Sequence, residues 1–121
     1  MKRVLALLLV CLSAAAVADE RILSFHSDIR VFPDGVIEVT ETIEVRAEGH
    51  QIRRGIYRDF PVDYEDRLGN RYHVTLQPLG VLRNGRSEAY HTVRSGRDVR
   101  TYFGSGDRFI EHGEHTYVFR Y

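Results

Sequence analysis

Apolar and polar residues alternate with a period of two along most of the chain. Residues 20–32 and 36–46 both show this pattern, and Glu41 and Ser27 are the polar exceptions on otherwise apolar faces. Such alternation is typical of half-buried strands. A Pro-Asp-Gly turn at 33–35 joins the two runs, so they predict a β-hairpin. The apolar positions are Leu23, Phe25, Ile29, Val31, Ile37, Val39, Ile43 and Val45.

Further extended segments follow, each bounded by a turn signal. Residues 72–82 alternate until Pro78, where we expect an edge position or a bulge. Asn-Gly at 84–85 indicates a hairpin, residues 87–106 fit two short strands around 95–97, and residues 115–121 alternate again. No window has the 3.6-residue period of a helix. The pattern therefore predicts an all-β fold, an antiparallel β-sandwich of immunoglobulin-like or jelly-roll-like type that is incomplete at its C-terminus.

The first eighteen residues have the features of a secretory signal peptide. Lys2 and Arg3 precede an apolar run, and an Ala-x-Ala site ends at Ala18 before two acidic residues. The run from 4 to 18 is shorter than the roughly 17–25 residues that span a bilayer. A lipoprotein anchor at Cys11 is disfavoured because bulky Val10 precedes it. We expect a signal-peptide helix over 1–18 and one extracytoplasmic domain over 19–121, in the periplasm or at the cell surface.

Composition narrows the possible functions. The only cysteine is Cys11, so no disulfide stabilises the exported domain. All seventeen acidic residues follow Ala18 whereas two of the seventeen basic residues precede it, which leaves the domain a net charge of −2. This charge and the exported compartment argue against a nucleic-acid partner. The chain stops inside an alternating strand, and we expect it to be part of a longer membrane-anchored protein.

Residues that could carry catalysis are few. His112 and His115 lie three apart in a Glu-His-Gly-Glu-His run, which offers fewer ligands than a zinc site needs unless a turn at Gly113 brings them together. A polar turn explains the same residues without metal. The acidic residues Asp63, Glu65 and Asp66 read as a loop, and no serine lies in a nucleophile elbow. The sequence indicates no enzyme activity and no cofactor.

Residues 53–61, Arg-Arg-Gly-Ile-Tyr-Arg-Asp-Phe-Pro, form the most unusual segment. Both faces of an extended chain would mix charged and bulky apolar side chains here. One interpretation is an arginine and tyrosine patch for an anionic ligand such as a carboxylate or phosphate. The other is a scaffold segment in which Arg58 pairs with a carboxylate such as Asp59 or Glu41. The candidate residues are Arg54, Gly55, Ile56, Tyr57, Arg58, Asp59 and Pro61.

These motifs, in this order, resemble the N-terminal extracytoplasmic region of the predicted membrane protein family DUF2207, a domain of unknown function. The matching positions are 34–35, 39–42, 55–61 and 113–121, so the resemblance covers nearly all of the chain after the signal peptide. It implies an extracytoplasmic β domain carried by a membrane protein whose longer members continue past this point. It implies no biochemical activity.

We therefore expect an envelope-facing binding, interaction or scaffold domain. Its expected partners are the remaining C-terminal part of its own protein and other envelope components, with a membrane link only through segments absent here. The alternative is a small secreted metal-dependent hydrolase using His112 and His115.

Overall fold

The computed structural model describes residues 19–121, and the signal peptide predicted for residues 1–18 lies outside this range. The described chain is built of antiparallel strands, which confirms the all-β prediction. Within residues 19–121 there is no helix of the length and apolarity that crossing a bilayer requires. The strands are β1 (Arg21–Val31), β2 (Ile37–Ala47), β3 (Ile56–Pro61), β4 (Asp63–Glu65), β5 (Arg71–His73), β6 (Gly80–Arg83), β7 (Arg86–Ser87), β8 (Tyr90–Ser95), β9 (Asp98–Phe103) and β10 (Gly113–Arg120).

Strands β1 and β2 form the predicted hairpin around the turn at 33–35. Phe25 pairs with Ile43 and Ile29 with Val39, so the apolar faces of the two strands coincide. The register shifts between Ile22 and Ser24, an irregularity that the alternation did not predict. Leu23 is the extra residue there, and it is the one partly buried residue of β1.

A five-stranded sheet has the order β1-β2-β10-β6-β7. The last strand of the chain thus inserts between β2 and β6, and Phe119 lies opposite both Glu41 and Val81. The predicted hairpin at 84–85 is confirmed as the β6–β7 turn, in which both Asn84 and Gly85 have positive φ.

A three-stranded sheet, β3-β9-β8, packs against the larger one. Its β8–β9 hairpin turns at Gly96, inside the predicted turn at 95–97. The strand predicted over 72–82 is interrupted. Residues 71–73 pair only with the short strand β4, 74–79 carry no strand, and 80–82 belong to β6. Pro78, which has no N–H to donate to a ladder, lies within the interruption.

The core lies between the two sheets. Phe103 of β9 packs on Tyr117 and Phe119 of β10, with ring centroids 5.8 and 4.8 Å apart. Phe60 of β3 packs on Phe119 at 5.8 Å and edge-on against Tyr121 at 4.8 Å. Such tilted aromatic pairs stabilise beyond the area they bury. The buried cluster is Ile43, Val45, Val81, Phe103, Tyr117 and Phe119.

Two glycines allow the β3 and β9 backbones to meet closely at one end. A Cβ on Gly55 would overlap the carbonyl oxygen of Phe103, and one on Gly104 would overlap the carbonyl oxygen of Arg54. Both glycines also have positive φ, at 148° and 115°. Only glycine satisfies both constraints, so Gly55 fixes where residues 53–61 enter the sheet.

Glu20 anchors the start of the domain to the loop after β2. Its carboxylate accepts backbone N–H bonds of 2.7–3.1 Å from Glu48, His50, Gln51 and Ile52. Desolvation raises the pKa of Glu20, but the four N–H donors together have the larger effect and lower it to about 2. This contact places the loop that leads into residues 53–61.

Replacing Gly55 by alanine is expected to destabilise the domain by about 1–3 kcal/mol, because the methyl group meets backbone at a conformation that strains alanine. Gly80→Ala is the control, since a Cβ there meets nothing within 4 Å. Urea unfolding measures both. Equal stability of the two variants would contradict the close approach.

The stability that Glu20 contributes should be present above its ordinary pKa of 4.5 and be lost as pH falls toward its folded value of about 2. Glu20→Gln should therefore lower the melting temperature at pH 7, and its difference from the parent should shrink below pH 4.5. Circular dichroism melts against pH give the measurement, with Glu44→Gln as an exposed control. A pH-independent difference would mean that the carboxylate charge is not what the loop binds.

Candidate binding site

Residues 53–61 divide between the two faces of the small sheet. Residues 56–61 form β3, which confirms an extended segment. Ile56, Arg58 and Phe60 point toward the five-stranded sheet, where they contact residues of the core. Tyr57 and Asp59 lie on the opposite face, and exposed Pro61 ends the strand opposite Asp98. The segment is therefore scaffold on one face and accessible surface on the other.

On the inward face, Arg58 forms an ion pair with buried Glu41 of β2. The Arg58 Nε and Nη2 groups donate to the two carboxylate oxygens of Glu41, each at 2.7 Å. The hydroxyl of Tyr121 donates to Glu41 Oε1 at 2.8 Å. Glu41 is 2% exposed, so its charge depends on these donors. Of the two partners predicted for Arg58, Glu41 is the one that the structure pairs with it.

Aromatic rings enclose the same guanidinium. The Arg58 Cζ atom lies 5.2 Å from the ring centre of Phe25 and 4.8 Å from that of Phe60. The hydrogen bonds to Glu41 raise the pKa of Arg58 above its ordinary value, against the opposing effect of desolvation. Burial, together with the bond to Glu41, raises the pKa of Tyr121. Arg58 is thus committed to the scaffold.

On the outward face, Asp59 holds Arg100 of β9 in a second bidentate pair, at 2.8 and 2.9 Å. The hydrogen bonds from Arg100 lower the pKa of Asp59, so this carboxylate is ionised at neutral pH. The Arg100 guanidinium lies 4.0 Å from the ring centre of Tyr57. The pair fixes Arg100 over Tyr57 and leaves Tyr57 itself 53% exposed.

An aromatic row crosses the same face. Tyr57 on β3, Tyr102 on β9 and His91 on β8 are directly opposite one another in the strand register. The Tyr57 and Tyr102 ring centres are 5.8 Å apart, and His91 stacks on Tyr102 at 4.9 Å. We call the five side chains Tyr57, Asp59, His91, Arg100 and Tyr102 the outer face.

A groove of about 420 Å³ opens at the glycine end of the outer face. Arg53 and Arg54 line it, and the Arg54 guanidinium lies 4.7 Å from the ring centre of Phe109. Among residues 19–121 no carboxylate forms an ion pair with either arginine. The groove residues include Gln51, Arg53, Arg54, Tyr57, His91 and Tyr102.

The two candidate metal histidines differ in their surroundings. His115 is buried, its Nδ1 accepts from the Asn84 side-chain amide at 2.9 Å, and its Nε2–H donates to the Glu111 carbonyl at 2.6 Å. His112 is exposed and lies on the other side of Gly113. The part of the chain that the structure describes contains no group of three or more His, Cys, Asp or Glu residues that could hold a metal.

The acidic residues after β3 stabilise the β4–β5 hairpin. Asp63 bonds His73 at 2.7 Å and also pairs with Arg94, and Asp66 accepts the backbone N–H groups of Leu68 and Asn70. Hydrogen bonds from His73 and Arg94 lower the pKa of Asp63. Residues 63–66 are therefore a paired strand and turn where the sequence suggested an acidic loop.

Sequence reasoning missed His91, Arg100 and Tyr102. Each lies on a correctly predicted short strand, but the strands are far from residues 53–61 in sequence and their order in the sheet was not predicted. Residues 98–103 alternate, so the outward set on β9 could have been identified once that strand was paired with β3.

Removing the Tyr121 hydroxyl should leave buried Glu41 one donor short. Tyr121→Phe is expected to cost about 1–3 kcal/mol of unfolding free energy, the range for an orphaned buried polar group. Tyr64→Phe on the exposed β4 strand should be neutral. Urea titration followed by tyrosine fluorescence compares them, and an equally stable Tyr121→Phe would show that Arg58 alone satisfies Glu41.

Comparison with known proteins places this chain in a family. The Escherichia coli (strain K12) protein named "Uncharacterized protein YciQ" is 29% identical over 103 residues, which cover 85% of this chain and 16% of that protein. The chain thus spans about one sixth of that relative's length. No solved structure matches it. The family described as "Predicted membrane protein (DUF2207) N-terminal domain" matches residues 21–121, and the chain belongs to this family.

Proposed function

We propose that this domain faces the cell envelope and binds an anionic sugar, one carrying a carboxylate or a phosphate, on its outer face. The observation that carries the proposal is the aromatic row of Tyr57, Tyr102 and His91 beside the groove lined by Arg53 and Arg54. The signal-peptide pattern of residues 1–18 supports export of the domain to the cell envelope. Membership of a family of predicted membrane proteins supports its attachment to the membrane.

The two halves of the site suit two parts of one ligand. A half-exposed tyrosine beside further rings offers flat apolar contact to the C–H face of a sugar ring. Arg53 and Arg54 offer guanidinium forks, which match the oxygens of a carboxylate or phosphate in a bidentate manner. Arg100 cannot take this role without giving up Asp59, so it orients Tyr57 instead.

Binding rather than catalysis suits the surrounding groups. Asp59, the carboxylate on the outer face, is neutralised by Arg100, and its lowered pKa keeps it from acting as an acid at neutral pH. For the alternative hydrolase, both ring nitrogens of His115 are already bonded within the protein, which favours a structural role.

The proposal is tested by NMR titration with glucuronate and glucose 6-phosphate, with neutral glucose as the reference ligand. The two anionic sugars should shift the amide signals of Tyr57, Tyr102 and the groove loop. Glucose should bind at least about tenfold more weakly, because it lacks the charge-assisted bonds.

The matched variants separate site from scaffold. Arg53→Ala and Tyr57→Ala should each weaken binding by about tenfold or more while the domain remains folded at the temperature of the titration. Tyr64→Ala, an equally accessible tyrosine on β4, should bind like the parent. No shift with either anionic sugar, or equal shifts on the β4–β5 hairpin, would contradict the assignment.

A further inference from the structure

The part of the large sheet's inner face that is formed by β1 and the start of β2 is exposed. Four apolar side chains on β1 and at the start of β2 are about half exposed or more, although they continue the face that carries the core. We call them the uncovered patch. They are Phe25 at 48%, Ile29 at 59%, Val31 at 69% and Ile37 at 55% exposure.

The small sheet covers β10 and β2 but does not extend over the uncovered patch. In the small sheet, β9 lies over β10 through Phe103 and Tyr117. Strand β3 lies beside it, over β2, with Arg58 reaching Glu41 and the ring of Phe25 on β1. The small sheet ends at β3, so no strand of residues 19–121 lies over the remainder of β1.

Strand β3 is also an open edge. It pairs only with β9, so within the described residues the backbone groups on its other side have no strand partner. An open strand edge beside an exposed apolar surface such as the uncovered patch can pair with one more strand. Such a strand would complete the backbone ladder of β3 and place alternate apolar side chains on the uncovered patch.

We propose that a β-strand from beyond Tyr121 of the same polypeptide pairs with the open edge of β3 and covers the uncovered patch. Tyr121 exchanges backbone hydrogen bonds with Val39, the register partner of Ile29, so a chain continuing from it starts beside the patch. In the E. coli relative the matched region is only 16% of the protein, which leaves ample polypeptide outside it. A tethered strand also has a high effective concentration.

A second copy of the chain fits the open edge poorly. The two symmetric antiparallel pairings of β3 with itself that overlap most are centred on Arg58 or on Asp59. Each pairing places identical charges directly opposite one another, which destabilises a ladder. A tethered strand of different sequence does not place these identical charges opposite one another.

The full-length protein, purified in detergent as a monomer, provides the test. Ile29→Cys and Val31→Cys variants are labelled with a water-soluble maleimide, and Leu68→Cys, at a position 88% exposed, is the control. The parent supplies the background, since the only cysteine of residues 1–121 is Cys11. Both patch cysteines should react at least about tenfold more slowly than the control and equally fast after denaturation.

Hydrogen exchange of the unmodified protein gives an independent readout. Strands β3 and β8 are six-residue edges of the same sheet, but β3 has half-buried residues at alternate positions whereas all six residues of β8 are exposed. The comparison is therefore limited to the amides of each strand that point away from β9, where no strand of residues 19–121 pairs with them. Those amides of β3 should exchange at least about tenfold more slowly than those of β8. Equal exchange, together with fast labelling, would overturn the proposal. Protection only in dimers, or only in membranes and not in the detergent monomer, would also overturn it by assigning the patch to a second copy or to lipid.

Discussion

The buried carboxylate of Glu41 is the constraint on which the rest of the structure depends. It lies in the middle of the apolar face of β2, where an unpaired charge would be costly, and it is satisfied by Arg58 from the small sheet and Tyr121 from the end of β10. Glu41 and its two donors come from three separate parts of the chain. The pair therefore fixes how the two sheets are placed, as well as filling a space between them.

The pairing of Arg58 with Glu41 also determines which side chains of residues 53–61 face the core and which face solvent. Strand alternation sends Arg58 inward, so Tyr57 and Asp59 must face outward, and the Gly55–Gly104 approach sets the depth at which the strand enters. The arginines available to a ligand are then Arg53 and Arg54, before the strand begins. A conspicuous arginine motif is thus a scaffold and a candidate binding surface at once, on opposite faces of one strand.

Local patterns predicted the strands better than their arrangement. The hairpins at 33–35, 84–85 and 95–97 follow from turn residues and period-two alternation, which act between near neighbours. The sequence also named Glu41, a polar exception on an apolar face, as one of two carboxylates that Arg58 could pair with. The order of strands could not be read in this way, because pairing of β10 with β2, or β9 with β3, depends on contacts between distant segments. The outer face was not predicted for that reason. The irregularity at Leu23 was not predicted because a one-residue insertion does not alter the composition of the strand.

The most direct test is a double-mutant cycle between Glu41 and Arg58, measured by urea unfolding. The Arg58 side chain is 30% exposed and that of Glu41 only 2%. Replacing the arginine therefore leaves the more deeply buried charge, that of Glu41, without its ion-pair partner. Arg58→Met should cost about 3–5 kcal/mol, whereas combining it with Glu41→Leu should recover at least half of that loss. Additive losses in the double variant would contradict the account, since they would mean that the two charges do not depend on each other.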